Sequence, residues 1–180
     1  GIIRPKESLI ADKKLQTGDR ILLLRSNGIN ANGVSLARAV AKLLSQGYGT
    51  KLTNGKTYGD ALLTKTNIYA KLVGDLLEGG ITIHYISNIT GHGLRKIMRA
   101  RGNFTYVVER LFEPQEGFHF IQKHANIDDY EMYQTYNMGQ DYVIFLPQGD
   151  VGKAQEIVKR NGFESIDAGV VEEGERQVII

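Results

Sequence analysis

The sequence predicts an α+β fold of α/β type, a mixed β-sheet with helices packed on it. Two observations lead there. Short apolar or alternating runs, which suit strands, take turns along the chain with stretches whose apolar residues recur at helical spacing. The glycines, 21 in 180 residues against a base rate of about 7%, are scattered between these runs and mark turns and backbone-lined loops. No internal repeat and no compositional linker interrupts the pattern, so residues 1–180 read as a single domain.

The elements follow in order. Gly18-Asp19 is a turn into a buried strand, Arg20 to Arg25, with the apolar run Ile21-Leu22-Leu23-Leu24 at its centre. A loop of small and amide residues, Ser26 to Gly33, precedes a helix from Val34 in which Val34, Ala37, Val40, Ala41 and Leu44 share a face and Gln46-Gly47 is the stop. Residues 47–59, with four glycines, suggest a long exposed loop. A second helix is expected from Thr66 to Leu77, with Tyr69, Leu72, Val73 and Leu76 inward and Gly79-Gly80 at its end. Ile81, Ile83 and Tyr85 alternate with Thr82 and His84 as in a half-buried strand.

Ser87 to Gly93 then reads as a glycine-bearing loop, and Leu94, Ile97, Met98 and Arg101 as one side of a short basic helix. Thr105 to Val108 is a strand. Helices follow near Glu116 to His124 and Asp129 to Tyr136, and Asn137-Met138-Gly139 turns into the strand Tyr142 to Leu146. A helix over Val151 to Arg160 and strands near Ile166 to Val171 and Arg176 to Ile180 end the chain.

Composition excludes several classes. Lys and Arg number 22 against 20 Asp and Glu, without the basic excess of a nucleic-acid binder. Cysteine is absent, which removes disulfides, thiol catalysis and thiolate zinc sites. Ile21 to Leu24 is far short of the ~20 residues of a membrane span, and Gly1 to Glu7 lack the apolar segment of a signal peptide. A cytoplasmic protein with no membrane partner is the expectation.

Most catalytic motifs fail on context. Gly55-Lys56-Thr57 lacks the first glycine of a P-loop, which would fall at Thr50. Gly33-Val34-Ser35-Leu36-Ala37 lacks the last glycine of a nucleophile elbow. His119 and His124 are five apart, off the spacing of a helical metal pair, so no metal site is expected. Asp128 and Glu131 read as a capping box rather than as catalytic acids. Two loops keep a functional reading. Thr90-Gly91-His92-Gly93 opens a helix, where backbone amides can approach an anion, and Arg95 and Arg99, four apart, share a helical face that can hold phosphate or carboxylate; the competing reading is a solvated basic face. The Asn30-Ala31-Asn32-Gly33 loop also leads into a helix, with Asn32 either a ligand group or the N-cap. Catalytic residues are not identified.

These loops, with Gly18-Asp19, Asn32-Gly33-Val34-Ser35-Leu36-Ala37-Arg38, Thr66-Asn67-Ile68-Tyr69, Ile89-Thr90-Gly91-His92-Gly93-Leu94 and Glu131-Met132-Tyr133-Gln134-Thr135-Tyr136-Asn137-Met138-Gly139 in that order, resemble the C-terminal domain of aminoimidazole ribonucleotide synthetases, the phosphoribosylformylglycinamidine cyclo-ligases of purine biosynthesis. The resemblance runs from Ile3 to the end. It implies a substrate-side domain that covers the active-site cleft, binds a phosphorylated ribonucleotide and works with an N-terminal domain, outside this chain, that carries most of the ATP and Mg2+ site and the homodimer interface. In the reaction ATP activates the formyl oxygen of formylglycinamidine ribonucleotide and an amidine nitrogen closes the imidazole ring. The chain alone is then not expected to catalyse it. The resemblance places substrate and phosphate contacts at Asn30, Asn32, Gly33, Thr90, Gly91, His92, Gly93, Arg95, Arg99, Asn137 and Gly139.

The chain also departs from the family's pattern. Asn30 and Asn88 stand where histidines are usual, and His92 replaces the middle glycine of the Thr-Gly-Gly-Gly loop. Arg95-Lys96-Ile97-Met98-Arg99 replaces a Glu-Asn pair and a proline, and Lys65 and Asn67 stand where proline and arginine are common. Losing imidazoles and a carboxylate changes proton-transfer capacity and charge in the cleft. Two other readings therefore stand beside the first: a paralogue of the superfamily, kinase-like or of the hydrogenase-maturation type, acting on another phosphorylated substrate, and a free-standing binding or assembly module.

Overall fold

The computed structural model describes residues 9–180; the reading of Gly1 to Glu7 and the first residues of the resemblance lie outside them. Six strands, Arg20–Arg25 (β1), Tyr85–Asn88 (β2), Phe104–Val108 (β3), Gln140–Leu146 (β4), Ser165–Glu173 (β5) and Gln177–Ile179 (β6), form one sheet in the order β2-β4-β1-β5-β3-β6. All neighbours are antiparallel except β3 and β6, which run parallel. The sheet is mixed, as expected. Helices Val34–Leu43 (α1), Tyr58–Leu62 (α2), Ala70–Glu78 (α3), Glu116–Ala125 (α4), Asp129–Thr135 (α5) and Val151–Arg160 (α6) accompany it. Among the described residues no helix is long and apolar enough to cross a membrane.

β1 explains the arrangement. Its four consecutive apolar residues are all fully buried, because helices or loops cover both faces of the sheet at this strand. Ile21 and Leu23 face a core with Tyr106, Val143, Phe145, Leu94 and Ile97. Leu22 and Leu24 face a second core with Leu72 and Leu76 of α3 and Ala154, Ile157 and Val158 of α6. A strand buried on both sides loses the polar alternation of a half-exposed one, and each such side chain contributes about 1.5–3 kcal/mol relative to exposure. A third core lies away from these two, where Ala37 and Val40 of α1, Tyr58 of α2, Phe118 and Ile121 of α4 and Met132 of α5 pack with Tyr136.

Five expectations need correction. The loop over residues 47–59 is not simply exposed: a 3-10 turn, Gly47–Gly49, and a bridge between Lys51 and Thr57 lead into α2, where Tyr58 is fully buried and its hydroxyl donates to the Ala37 carbonyl at 2.9 Å. Thr57 and Asp60 start α2 with reciprocal side-chain to backbone bonds of 3.0 and 3.1 Å, a capping box with Asp in the place more often held by Glu or Gln. α3 begins at Ala70 rather than Thr66, because the residues before it have their side chains tied across to β1 and β4.

His84 is buried rather than solvent-facing, and the ladder begins only at Tyr85. Its Nδ1 lies 2.8 and 2.9 Å from the two carboxylate oxygens of buried Asp19, which also accepts from the Gln16 amide at 3.0 Å. Ser87 and Asn88 pair with Val143 and Tyr142 of β4, so they belong to β2 and not to the loop. The segment Gly93–Arg99 is a 3-10 helix, not an α-helix. At three residues per turn, Arg95 and Arg99 stand about 120° apart, so they do not share a face. Leu94 and Ile97, three apart, do, and both are buried. β1 and α6 have the expected bounds, β4 starts two residues before the expected Tyr142, and Asp128 caps α5 by accepting from the Glu131 amide at 2.8 Å, without the return bond from Glu131 that would complete a capping box.

Candidate functional site

Three chain segments distant in sequence meet above the end of β4. The loop after β1 brings Asn30, Ala31 and Asn32, the segment before α3 brings Thr66, Asn67 and Tyr69, and the end of β2 brings Asn88 and Thr90. Asp141, the second residue of β4, lies at the bottom of the resulting cleft, whose volume is about 220 Å³. A wider and more apolar cleft of about 560 Å³ adjoins it at Asn30 and Ala31, lined also by Ile29, Val34, Arg38, Tyr48, Leu62 and Leu63.

Asp141 is only 5% exposed. Its Oδ1 accepts from Asn30 Nδ2 at 2.6 Å, and its Oδ2 accepts from the Tyr69 hydroxyl at 2.6 Å and from Asn67 Nδ2 at 3.4 Å. Asn67 is itself held by Asn27, whose Nδ2 donates to its Oδ1 at 2.6 Å. Burial pushes the Asp141 carboxyl above the usual aspartate range, against the opposing effect of these three donors. Burial, followed by the bond to Asp141, also raises the Tyr69 phenol.

The sign of the pH dependence follows. An unfolded aspartate releases its proton near ~3.9, while the folded chain still holds the one on Asp141. Above that pH the unfolded state therefore binds fewer protons, and stability falls as pH rises until the folded form has also ionised. Asp141→Asn lacks this contribution. Urea denaturation of both proteins in steps from about pH 4 to about pH 7 should show the wild type losing stability relative to the variant. A difference that stays flat with pH would refute the assignment.

Two buried polar atoms at the cleft have no partner. Asn32 Oδ1 accepts from the Gly91 amide at 2.8 Å, which leaves its Nδ2 unpaired, and Asn30, whose Nδ2 is engaged by Asp141, has an unpaired Oδ1. Such atoms cost about 1–3 kcal/mol each when nothing meets them. Asn30 holds φ of +54°, a conformation that asparagine tolerates better than most residues. Asn32 is not the N-cap of α1; that position is Gly33, with φ of +59°.

Of the residues picked from sequence, the structure brings Asn30, Asn32 and Thr90 to the smaller cleft. Gly33 is a packing position: the Tyr136 ring crosses it, its hydroxyl donating to the Gly33 carbonyl at 2.9 Å, and a Cβ there would lie 2.2 Å from the ring. Asn137 is fully buried behind the loop, donating to the Gly28 carbonyl at 3.0 Å and accepting from the Gly139 amide at 3.3 Å. In the Thr90 to Gly93 segment the Gly91 amide is engaged by Asn32 and the Gly93 amide by the Thr90 carbonyl at 2.8 Å. His92 is exposed, with φ of +108° and its ring bonded to the Gly91 carbonyl. Arg95 and Arg99 are exposed and line neither cleft.

Sequence reasoning passed over Asp141, Asn67, Tyr69 and Arg38 as site residues. Among the described residues no three His, Asp or Glu side chains converge as a metal site would require, and Asp141 is the one carboxylate lining either cleft.

The sequence pattern of the family described as AIR synthase related protein, C-terminal domain, matches residues 16–180. A phosphoribosylformylglycinamidine cyclo-ligase of Methanococcus maripaludis is 34% identical over 169 residues, covering 93% of this chain and 48% of the relative. One of Methanocaldococcus jannaschii is 38% identical over 160 residues, covering 86% of this chain and 45% of the relative. This chain thus spans about half the length of the curated relatives it matches. Among solved structures, the complex of T. maritima PurL with FGAR superposes with a TM-score of 0.56 at 14% identity, covering 93% of this chain and 26% of that one. At that identity the likeness establishes the fold.

Proposed function

The chain belongs to the AIR synthase related protein, C-terminal domain family, and from that membership we propose that it is the substrate-side half of an ATP-dependent phosphoribosylformylglycinamidine cyclo-ligase of purine biosynthesis. The observation that carries the reading is convergence. The Asn30 to Asn32, Thr66 to Tyr69 and Asn88 to Thr90 segments, which hold or adjoin the motifs of the resemblance and include its departures at Asn30, Asn67 and Asn88, lie far apart in sequence and line one cleft. Its two unpaired amide atoms suit a polar ligand that supplies the missing partners.

The chain's own residues bind and orient. The formylglycinamidine end of the ribonucleotide enters the smaller cleft, where Asn32 Nδ2 is the free donor and Asn30 Oδ1 the free acceptor. The ribose phosphate extends into the wider cleft, where Arg38 is the lining cation. Arg95 and Arg99 are outer contacts at most, because the short 3-10 helix that bears them separates their directions and its leading glycine amides are already engaged. ATP, when bound, supplies activation of the formyl oxygen. A Mg2+ site needs several oxygen ligands, and the clefts offer one carboxylate, so ATP and Mg2+ belong in our reading to the other half of the enzyme. The same half would supply the homodimer interface. Leu63, 85% exposed at the rim of the wider cleft, suits packing against it. Without that half this chain should have no ring-closing activity.

Calorimetric titration of the chain with formylglycinamidine ribonucleotide tests the reading. Binding is expected, and Arg38→Ala should weaken it about 10- to 150-fold, the equivalent of a charge-assisted bond of about 1.5–3 kcal/mol. A folded chain that does not take up the ribonucleotide would refute it. A second reading, another phosphorylated substrate on the same scaffold, is favoured by one feature: no histidine lines either cleft, although the resemblance leads one to expect two. Binding of a non-purine phosphate ester in preference to the ribonucleotide would establish that alternative.

A further inference from the structure

We propose that Asp141 is a specificity residue, whose carboxylate recognises the amidinium group of the substrate and discriminates against the neutral amide in its place; this rests on the cyclo-ligase reading. Asp141 is 5% exposed and receives three hydrogen bonds, from Asn30, Tyr69 and Asn67. All three donors are neutral. Among the described residues no Lys, Arg or His approaches the carboxylate within ion-pair distance. Neutral dipoles hold a carboxylate in place but leave its net charge uncancelled, and a buried charge without a counter-charge is costly. The cleft therefore lacks the counter-charge that would favour the carboxylate over the protonated acid, and a bound cation would supply it.

The unpaired acceptor beside it specifies the ligand further. Asn30 is held by its Nδ2 to Asp141, and turning its amide over would set a carbonyl oxygen against a carboxylate oxygen. Its Oδ1 consequently stays an acceptor and has no donor. A carboxylate and a carbonyl oxygen side by side call for a cation with several N–H groups. The small volume, about 220 Å³, is below the ~300–1,000 Å³ of sites that enclose drug-sized molecules and suits a head group. An amidine is protonated at neutral pH, planar, and carries N–H donors on both nitrogens. The corresponding amide is neutral and carries an oxygen where the amidine has one of those nitrogens, so it brings an acceptor toward acceptors. The cleft thus attracts one and repels the other, and specificity draws on both effects.

The test compares two ribonucleotides on two proteins. The wild-type chain and Asp141→Asn are titrated calorimetrically with formylglycinamidine ribonucleotide and with formylglycinamide ribonucleotide, and thermal melting checks that both proteins are folded. The wild type should bind the amidine at least about tenfold more tightly than the amide, as a charge-assisted contact implies. The variant should lose that preference by weakening on the amidine and not on the amide. A purely structural role for Asp141 would weaken both ligands together and leave the ratio unchanged. Equal affinity of the wild type for the two ribonucleotides, a measurement that does not depend on the variant folding, overturns the proposal and leaves the cyclo-ligase reading in place. So does a variant that keeps the preference. Failure of the wild type to bind either one removes the cyclo-ligase reading, and the role of Asp141 with it.

Discussion

Gly93→Ala will destabilise the protein by about 2–5 kcal/mol, a substantial share of the ~5–15 kcal/mol of a typical domain. Gly93 has φ of +55°, where a side chain costs about 1–2 kcal/mol. A Cβ built there would lie 1.7 Å from the Tyr133 carbonyl oxygen and 2.8 Å from that of Tyr136. Both obstacles are backbone, so no rotamer change relieves them and the end of α5 must move, adding about 1–3 kcal/mol by the usual cost of overpacking. That movement also pulls Tyr136 away from Gly33 and disturbs the loop that carries Asn30 and Asn32. Urea denaturation measures the loss. Gly91→Ala is the control, since the nearest atom to its added Cβ is Asn32 Oδ1 at 3.9 Å, and it should stay within about 1 kcal/mol of wild type. Equal stability of the two variants would show that α5 does not press on Gly93 as described.

Asn137→Ala should be comparably damaging, by about 2–6 kcal/mol, through hydrogen bonding instead of sterics. The truncation leaves the Gly28 carbonyl and the Gly139 amide without the side chain that joins them, each at about 1–3 kcal/mol. Met138 and Gly139, with φ of +46° and +86°, form the tight turn that this asparagine clamps to the loop after β1. Gly28 lies two residues before Asn30, so ribonucleotide binding should fall along with stability. Hydrogen exchange should show faster amide exchange over residues 26–33 and little change in α6, which packs in a different core. Uniform acceleration across both regions would mean that the loop is not specifically held by Asn137.

Why some elements could be read from the sequence and others could not has a physical explanation. Arg20–Arg25 and Val151–Arg160 were legible because local pattern and tertiary burial agree: an unbroken apolar run fits a strand covered on both faces, and Val151, Ala154, Ile157 and Val158 follow the helical period and are all buried. α2 was hidden because it is five residues long inside a glycine-rich stretch, and its one large anchor, Tyr58, is buried by α1 and α4. His84 read as solvent-facing because period-2 alternation carries no information about Asp19, 65 residues away. The basic segment after Gly93 has the same apolar residues whether α or 3-10, yet the directions of Arg95 and Arg99 differ between the two. In the site, the amide loops were visible as motifs. Asp141 was not, because a lone acid beside an apolar strand looks like its polar end, and only the approach of Asn30 and Tyr69 makes it the bottom of a cleft.

The central place of β1 has a consequence for how the chain folds. Its neighbours on the two sides, β4 and β5, come from the far end of the sequence; Arg20 and Asp167, joined at 2.9 Å, are 147 residues apart. Contacts this distant in sequence are slow to form. During synthesis β1 emerges before its partners and waits with both edges open until β4 and then β5 leave the ribosome, and throughout that interval Ile21-Leu22-Leu23-Leu24 is an uncovered apolar strand, the kind of segment that draws chains into aggregates. A chain truncated before Ser165 never closes the second edge. This domain therefore depends on β4 and β5 for solubility during biogenesis as much as for its final stability, and its yield in cells should be sensitive to chaperone supply.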